Sequence, residues 1–343
     1  MGERLDFGIY VPQLAFEYQD LLQRARLCEE LGYSSFWLFD HLYGPQFPEL
    51  PALEGWTLAT ALLAQTTSLR VGHLVLCNNF RHPALLARMA TTLDAISGGR
   101  LEVGLGSGSV EEEHHQAGLP WGSLAERSER LGEGLEILTR MFAAEKTSFD
   151  GRHYQLRDVP NVPLPVQRPR PPIHVGGAHP KYTLPLVARY ADVWNVPVYA
   201  LGDWQQRVGR LEAECERIGR DPSTIRRSHE AVLVIAPDNS SLAEARAKAE
   251  RRFGGPTWGL EAGGYIGTPA AVVDRIGERV EQGISMFVFF TFDRGGESTL
   301  RLFAEAVMPH FAGSAGDSTN SAGAGGSTGS TGSTGPASPA GSA

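Results

Sequence analysis

The chain alternates between short apolar runs and amphipathic stretches of helical period, and this alternation continues over most of its 343 residues. Because a parallel sheet must be covered on both faces or close on itself, eight strand–helix repeats favour a single closed (β/α)8 barrel, the TIM barrel, over an open sheet. The apolar runs predict eight strands, at 5–11, 35–39, 71–77, 101–105, 173–175, 193–196, 230–235 and 286–292. The amphipathic stretches predict helices at 20–31, 57–65, 83–96, 123–142, 183–190, 203–218, 242–253, 270–282 and 299–308.

Two segments fall outside this repeat. Residues 147–172 are rich in proline, which cannot sit inside a helix or a central strand, so a long crossing loop is predicted there. From residue 312 onward the chain consists mainly of Gly, Ser, Thr, Ala and Pro, whose side chains bury little area. The predicted organisation is one α/β barrel domain at 1–311, followed by a disordered tail at 312–343.

Charge and cysteine content exclude several classes of partner. The formal net charge is −8 and no window clusters Lys and Arg, so we expect no nucleic-acid partner. Three widely spaced cysteines without a CxxC motif indicate neither a disulfide framework nor a zinc site. The first residues lack an apolar signal region, and no long apolar run follows, so we expect a cytoplasmic protein without a membrane span.

The residues that follow each strand form the catalytic rim of a barrel. Asp40 and His41 follow the second strand, and they could be an acid/base pair, a pair that orients a ligand, or a polar turn; the rim position favours a function. The glycine-rich stretch after the fourth strand is not a Rossmann loop, because Ser109 stands where the third glycine is required. Gly176 and Gly177 end the fifth strand, where backbone N–H groups can face an anion.

A metal site is not predicted. His114 and His115 follow three glutamates, but the helical spacing of zinc-binding histidines is absent, so a solvated acidic helix face is the preferred interpretation. Lys181 is the lysine nearest the rim and lies in a loop, whereas the Schiff-base lysine of an aldolase stands at a strand end.

Five stretches, in this order, resemble the luciferase-like monooxygenase family, and in particular its branch of oxidoreductases that depend on the deazaflavin coenzyme F420. They are FWLFDHL, NNFRHPALLARMATTLDAISGGRLEVGLGSG, EEEHHQAGLP with ERSERLGEGLEIL, FDGRHYQLRDVPNVPLPVQRPRPPIHVGG, and GTPAAVVDRIGERVEQG. The resemblance extends over nearly the whole chain up to Phe311. It implies a (β/α)8 barrel with a flavin-like cofactor across the carboxyl ends of the strands.

The resemblance also implies site residues. His41 is the expected catalytic residue, as proton donor or ring partner, and a bulge with a non-prolyl cis peptide is expected near Leu74–Val75. The glycines from Gly104 to Gly108 would allow the backbone to approach the cofactor, and Gly176 and Gly177 would hold its phosphate. The predicted cofactor-binding residues are Asp40, His41, Leu74, Val75, Cys77, Asn78, Gly106, Ser107, Gly108, Ser109, Gly176, Gly177 and Ala178.

One departure from the family matters for the chemistry. Many relatives carry a tryptophan or a glutamate directly after the last of these glycines, whereas this chain has Ser109. A proton would then come from His41, from one of the residues 111–113, or from the substrate.

Several functions remain open from the sequence. The preferred one is an F420-dependent oxidoreductase that exchanges a hydride with a small organic substrate. An FMN-dependent monooxygenase that uses O2 is the alternative, and a non-catalytic flavin-binding protein or a phosphosugar isomerase or aldolase would be of another class. A homodimer is possible, since dimers are common in the family. Aromatic residues that could line an apolar pocket are Phe16, Tyr43, Phe47, Trp56, Trp121 and Trp258.

Overall fold

The computed structural model describes residues 5–45, 47–197, 200–254, 260 and 263–312. The predicted disordered tail therefore lies outside the described residues, apart from Ala312, and so does Trp258. The strands are β1 (Asp6–Tyr10), β2 (Ser35–Leu38), β3 (Arg70–His73), β4 (Leu76–Cys77), β5 (Val103–Gly106), β6 (Lys146–Asp150), β7 (Gln155–Pro160), β8 (Ile173–Gly176), β9 (Val193–Pro197), β10 (Arg226–Ile235), β11 (Tyr265–Gly267) and β12 (Met286–Thr291). The α-helices are α1 (Tyr18–Glu30), α2 (Gly55–Gln65), α3 (Pro83–Ser97), α4 (Glu111–Gln116), α5 (Leu124–Ala143), α6 (Leu184–Tyr190), α7 (Trp204–Ile218), α8 (Asn239–Phe253), α9 (Pro269–Glu281) and α10 (Glu297–Ala306).

The predicted (β/α)8 barrel is confirmed. The strands pair in parallel in the order β3-β2-β1-β12-β10-β9-β8-β5-β4, with β11 beside the end of β10. A parallel bridge between Val71 and Leu101 closes the ring. The Val71 N–H donates to the Arg100 carbonyl at 3.1 Å, and the Val71 carbonyl accepts from the Glu102 N–H at 3.0 Å. Helices cover the outside, and the main apolar core lies between them and the barrel.

The predicted third strand is broken into β3 and β4 by a bulge, and the peptide bond Leu74–Val75 within it is cis. In this bulge the Val75 side chain packs against the neighbouring strands β5 and β8. A Cβ atom on Gly106 would lie 2.5 Å from a Val75 methyl carbon, and one on Gly176 would lie 3.0 Å from the other. The absence of side chains at these glycines of β5 and β8 thus allows the bulge to pack there. The bulge in turn forms part of the wall of the cavity described below.

Gly104 provides a test of this close packing. A side chain at Gly104 would collide with the carbonyl oxygen of His73, a backbone atom that cannot move aside without disturbing the barrel. We expect Gly104→Ala to lower the free energy of unfolding by about 1 to 3 kcal/mol, the usual cost of overpacking. Urea unfolding followed by circular dichroism measures it.

The matched control is Gly209→Ala, on the exposed face of α7, where nothing lies within 4 Å of the new Cβ. That change should stabilise the protein by about 0.5 to 1 kcal/mol, because alanine favours a helix. Equal effects at the two positions would contradict the packing argument.

The proline-rich connection differs from the prediction of a long crossing loop. Its first part is an antiparallel hairpin of β6 and β7, in which Thr147 pairs with Val159. The loop spans residues 151–154, because Asp150 pairs with Gln155, and the Gly151 N–H donates to the Tyr154 carbonyl at 2.9 Å. Most of the prolines follow the hairpin, where 162–163 and 168–169 are cis X-Pro bonds.

The short elements α4 and β11 were also not expected from the apolar pattern. Among the described residues, no helix has both the length and the apolar composition that crossing a membrane requires.

Candidate active site

A cavity of about 610 Å³ opens at the carboxyl ends of the barrel strands. The structure brings together at this cavity every predicted cofactor-binding residue except Asn78. Asn78 is buried, donates its side-chain amide to the Tyr154 hydroxyl at 3.2 Å, and donates its backbone N–H to the Gly106 carbonyl. Lining residues that were not among the predicted cofactor-binding residues are Tyr10, Leu76, Phe80, Glu113, His114, His179, Pro180, Thr183, Asn195, Pro197, Arg207 and Glu230.

Asp40 ties the end of β2 to the loop after β4. Its carboxylate receives two hydrogen bonds from Arg81, at 2.7 and 2.9 Å, and a third from the Cys77 N–H at 2.8 Å. Arg81 also contacts Glu54 at 2.6 Å. Because both oxygens of this buried carboxylate are engaged, Asp40 shapes the cavity wall and is poorly placed to move a proton.

His41 is held by a buried glutamate from α4. The His41 Nδ1 lies 2.9 Å from Oε2 of Glu113, whose other oxygen accepts the Leu42 N–H. A carboxylate only accepts, so Nδ1 carries the hydrogen and Nε2 is the ring nitrogen left for a ligand. Glu113 is 1% exposed, so the predicted solvated acidic face is wrong at this residue: helical phase turns Glu113 inward and leaves Glu111 and Glu112 outside.

His114 is buried as well, contrary to the expectation of a solvated face. Its Nδ1 donates to the Val110 carbonyl at 2.8 Å, and its Nε2 lies 3.5 Å from the Cys77 sulfur. His115 is exposed, 3.8 Å from Glu111. Within the described part of the chain, no group of three or more His, Cys, Asp or Glu side chains is arranged to hold a metal ion.

Glu230 is a charged residue in the cavity that sequence reasoning missed, because it belongs to an apolar strand run; Arg207 is another. Glu230 projects from β10, is 5% exposed, and accepts a hydrogen bond from the Asn195 side chain at 2.9 Å; Asn195 in turn accepts from the Ser228 hydroxyl at 3.0 Å. Burial raises the pKa of Glu230 to about 7, against the opposing effect of the Asn195 hydrogen bond. Burial and the carboxyls of Glu230 and Asp40 raise the pKa of Tyr10 well above its usual value.

The pKa of Glu230 predicts a pH dependence of stability. The folded state holds this proton more tightly than the unfolded chain, so the stabilisation is complete below pH 4.5 and is lost as the pH rises through about 7. Glu230→Gln removes the titrating group and with it this pH dependence. The unfolding free energy of the variant minus that of the parent should therefore rise by up to about 3 kcal/mol from about pH 5 to pH 8. Urea unfolding of both proteins at both pH values measures this rise. The same stability difference between variant and parent at the two pH values would contradict a raised pKa for Glu230.

The loop after β8 forms the other side of the cavity. The Gly177 N–H donates to the Asn195 carbonyl at 3.2 Å, so this N–H, predicted to hold a phosphate, is already engaged. Arg207 from α7 donates from Nη1 to the Ala178 carbonyl at 2.7 Å, and its buried Nε has no hydrogen-bond partner among the described residues. The Nη2 of Arg207 lies 3.8 Å from the exposed carboxylate of Asp203. A guanidinium that lines a cavity suits an anion. Lys181 points away, over Tyr182, and is exposed.

The candidate pocket aromatics do not line the cavity, as far as they are described. Phe16 contacts the guanidinium groups of Arg24 and Arg294, which lie 4.5 and 3.9 Å from its ring centre. Trp56 stacks on buried His73, Trp121 packs against His114, and Phe47 is exposed. The apolar lining of the cavity includes instead Leu74, Val75, Leu76 and Phe80.

Comparison with known proteins agrees with this architecture. The family model for luciferase-like monooxygenases matches residues 5–257. The F420-dependent hydroxymycolic acid dehydrogenase of Mycobacterium tuberculosis is 29% identical over 253 residues, which cover 72% of this chain and 66% of that protein, slightly less than two thirds of its length. The F420-dependent glucose-6-phosphate dehydrogenase of Microbacterium testaceum is 26% identical over 329 residues, covering 89% and 97%. The coenzyme F420 dependent tetrahydromethanopterin reductase of Methanopyrus kandleri has the same fold, with a TM-score of 0.72 at 19% identity over 90% of this chain and 100% of that one.

Proposed function

Because the chain belongs to the luciferase-like monooxygenase family, we propose that it is an oxidoreductase that uses coenzyme F420 to exchange a hydride with a small organic substrate. The observation that carries the proposal is the cavity itself, which combines the imidazole of His41 with the guanidinium side chain of Arg207. The two curated relatives described above are both named for F420, which favours this cofactor over FMN.

The residues present fit a cofactor with a flat ring and a phosphate. Arg207 would bind the phosphate together with the backbone at Ala178. The N–H of Gly177 would not contribute, because it already donates to the Asn195 carbonyl. The bulge at Leu74 and Val75 would support the ring, and the backbone of 106–109 would border it. Bound there, F420 would supply a ring carbon that accepts or gives a hydride.

The protein's own residues would provide orientation and a proton path. Glu113 holds the His41 ring so that Nε2 is available to give a proton to, or take one from, the substrate oxygen. His41 takes this role because Ser109 is not acidic and Asp40 is fully engaged with Arg81 and Cys77. Leu74, Val75 and Phe80 would exclude water from the reacting atoms.

Titration of the purified protein with F420 and, separately, with FMN tests the proposal, with tryptophan quenching and cofactor fluorescence as readouts. Selective binding of F420 is expected. Selective binding of FMN would support an oxygen-using monooxygenase instead, and binding of neither would refute a flavin-type cofactor. Arg207→Gln should weaken F420 binding, whereas Arg210→Gln, on the exposed face of the same helix, should not.

A further inference from the structure

The charges around the cavity are unevenly distributed. The strand side, defined here as Tyr10, Asn195 and Glu230, projects from β1, β9 and β10. The loop side, defined as Gly177, Ala178 and Arg207, lies after β8 and on α7. Arg207 is the single Lys or Arg among the described residues that line the cavity. The internal residues outside the description, 46, 198–199, 255–259 and 261–262, include no Lys or Arg in the sequence.

The acids of the cavity differ in their partners. Asp40 is paired with Arg81, and Glu113 is paired with His41. Glu230 has a neutral partner, the amide of Asn195, and no described residue forms an ion pair with it. Glu230 is therefore the one acidic residue of the strand side as defined above, and its hydrogen-bond partner does not balance its charge.

An anionic ligand group would be poorly tolerated there. A phosphate or carboxylate buried beside Glu230 would lose its hydration without gaining a cation, and it would be repelled by the carboxylate form of Glu230. A hydroxyl or carbonyl group, in contrast, could form hydrogen bonds with Glu230, Asn195 or Tyr10. The one cation that could offset a negative charge, Arg207, is committed to the cofactor if the proposed function holds.

Resting on that proposed function, we propose that Glu230 is a specificity-determining residue that restricts substrates to neutral alcohols and carbonyl compounds, and disfavours those that must bury a phosphate or carboxylate in this cavity. The reaction would join a carbonyl carbon with the hydride of reduced F420 and its oxygen with a proton, giving the alcohol and oxidised F420, or run in reverse. Glu230 would contact the substrate and would not itself change its redox state. This would distinguish the chain from its relative named for glucose 6-phosphate.

The test uses protein loaded with F420 and a panel of matched substrates, in which each secondary alcohol or ketone is paired with a hydroxy or keto carboxylate, or a phosphate ester, of the same carbon skeleton. Initial rates are followed through the absorbance of F420. We expect turnover to be concentrated in the neutral members. Turnover of the anionic members equal to that of the neutral ones would overturn the proposal, and so would turnover of neither set.

A binding measurement separates selectivity from chemistry. Ketones and keto carboxylates cannot be reduced by oxidised F420, so calorimetry on that complex reports affinity without turnover. The measurement is made at about pH 8, where Glu230 is mainly a carboxylate. In Glu230→Gln the preference for neutral over anionic ligand should fall by about tenfold, because the repulsive charge is removed while a hydrogen-bonding group remains. Glu244→Gln, an exposed carboxyl on α8, is the matched control and should leave the preference unchanged.

The two proposals fail in different ways. Loss of F420 binding by the parent protein would refute the proposed function. If the parent protein binds F420 normally, two results would refute only the role of Glu230. One is an unchanged preference of Glu230→Gln for neutral over anionic ligands, and the other is a change in its F420 affinity alone. A thermal melt of Glu230→Gln compared with the parent shows that the variant is folded.

Discussion

Replacing His41 with alanine should lower kcat/KM by about 10² to 10⁴-fold, the usual contribution of a positioned acid–base group. The side chain lies at the cavity, a quarter exposed, with its Nδ1 bound to Glu113, so its Nε2 is the ring nitrogen available to the substrate oxygen. The loss should appear mainly in kcat, because the residue acts on the proton and not on the phosphate of the cofactor. Steady-state kinetics with F420 and any substrate identified for the enzyme measures it.

Two variants make this expectation specific. Glu113→Gln retains an oxygen that can accept from Nδ1, so it should reduce kcat less than loss of the imidazole. His115→Ala, at an exposed position of the same helix, should have no effect. Full activity in His41→Ala, or equal losses of folding and activity, would remove His41 from the mechanism.

Arg81→Met should lower the free energy of unfolding by about 3 to 5 kcal/mol, because it leaves the buried carboxylate of Asp40 without its cation. Arg81 makes two hydrogen bonds to Asp40 and one to Glu54, and its own side chain is 14% exposed. Chemical unfolding measures the change. The same substitution at Arg246, whose partner Glu250 is exposed, should cost less than about 0.5 kcal/mol.

A double variant separates charge burial from lost packing. Adding Asp40→Asn to Arg81→Met removes the unpaired charge, so it should recover part of the stability lost in the single variant. If the double variant is less stable than Arg81→Met, the cost lies in packing or in the Cys77 hydrogen bond, and not in the buried charge.

The barrel was predictable from the sequence because its strands and helices carry strong periodic patterns, and the position of Asp40 and His41 followed from the end of the second strand. The partners of these residues were not predictable. Glu113 is one of three consecutive glutamates, and only the phase of α4 turns it inward. Glu230 lies within an apolar strand and Arg207 on an amphipathic helix, so only the closed barrel brings them to one cavity.

The bulge between β3 and β4 also constrains how this cavity can change during evolution. The Val75 side chain occupies the space that side chains at Gly106 and Gly176 would need. A larger residue at either glycine therefore requires a smaller one at 75, so these three positions should vary together among homologues. Residue 75, in contrast, can shrink without disturbing a backbone contact, which makes it the simplest place for the lineage to acquire a roomier pocket and new substrates.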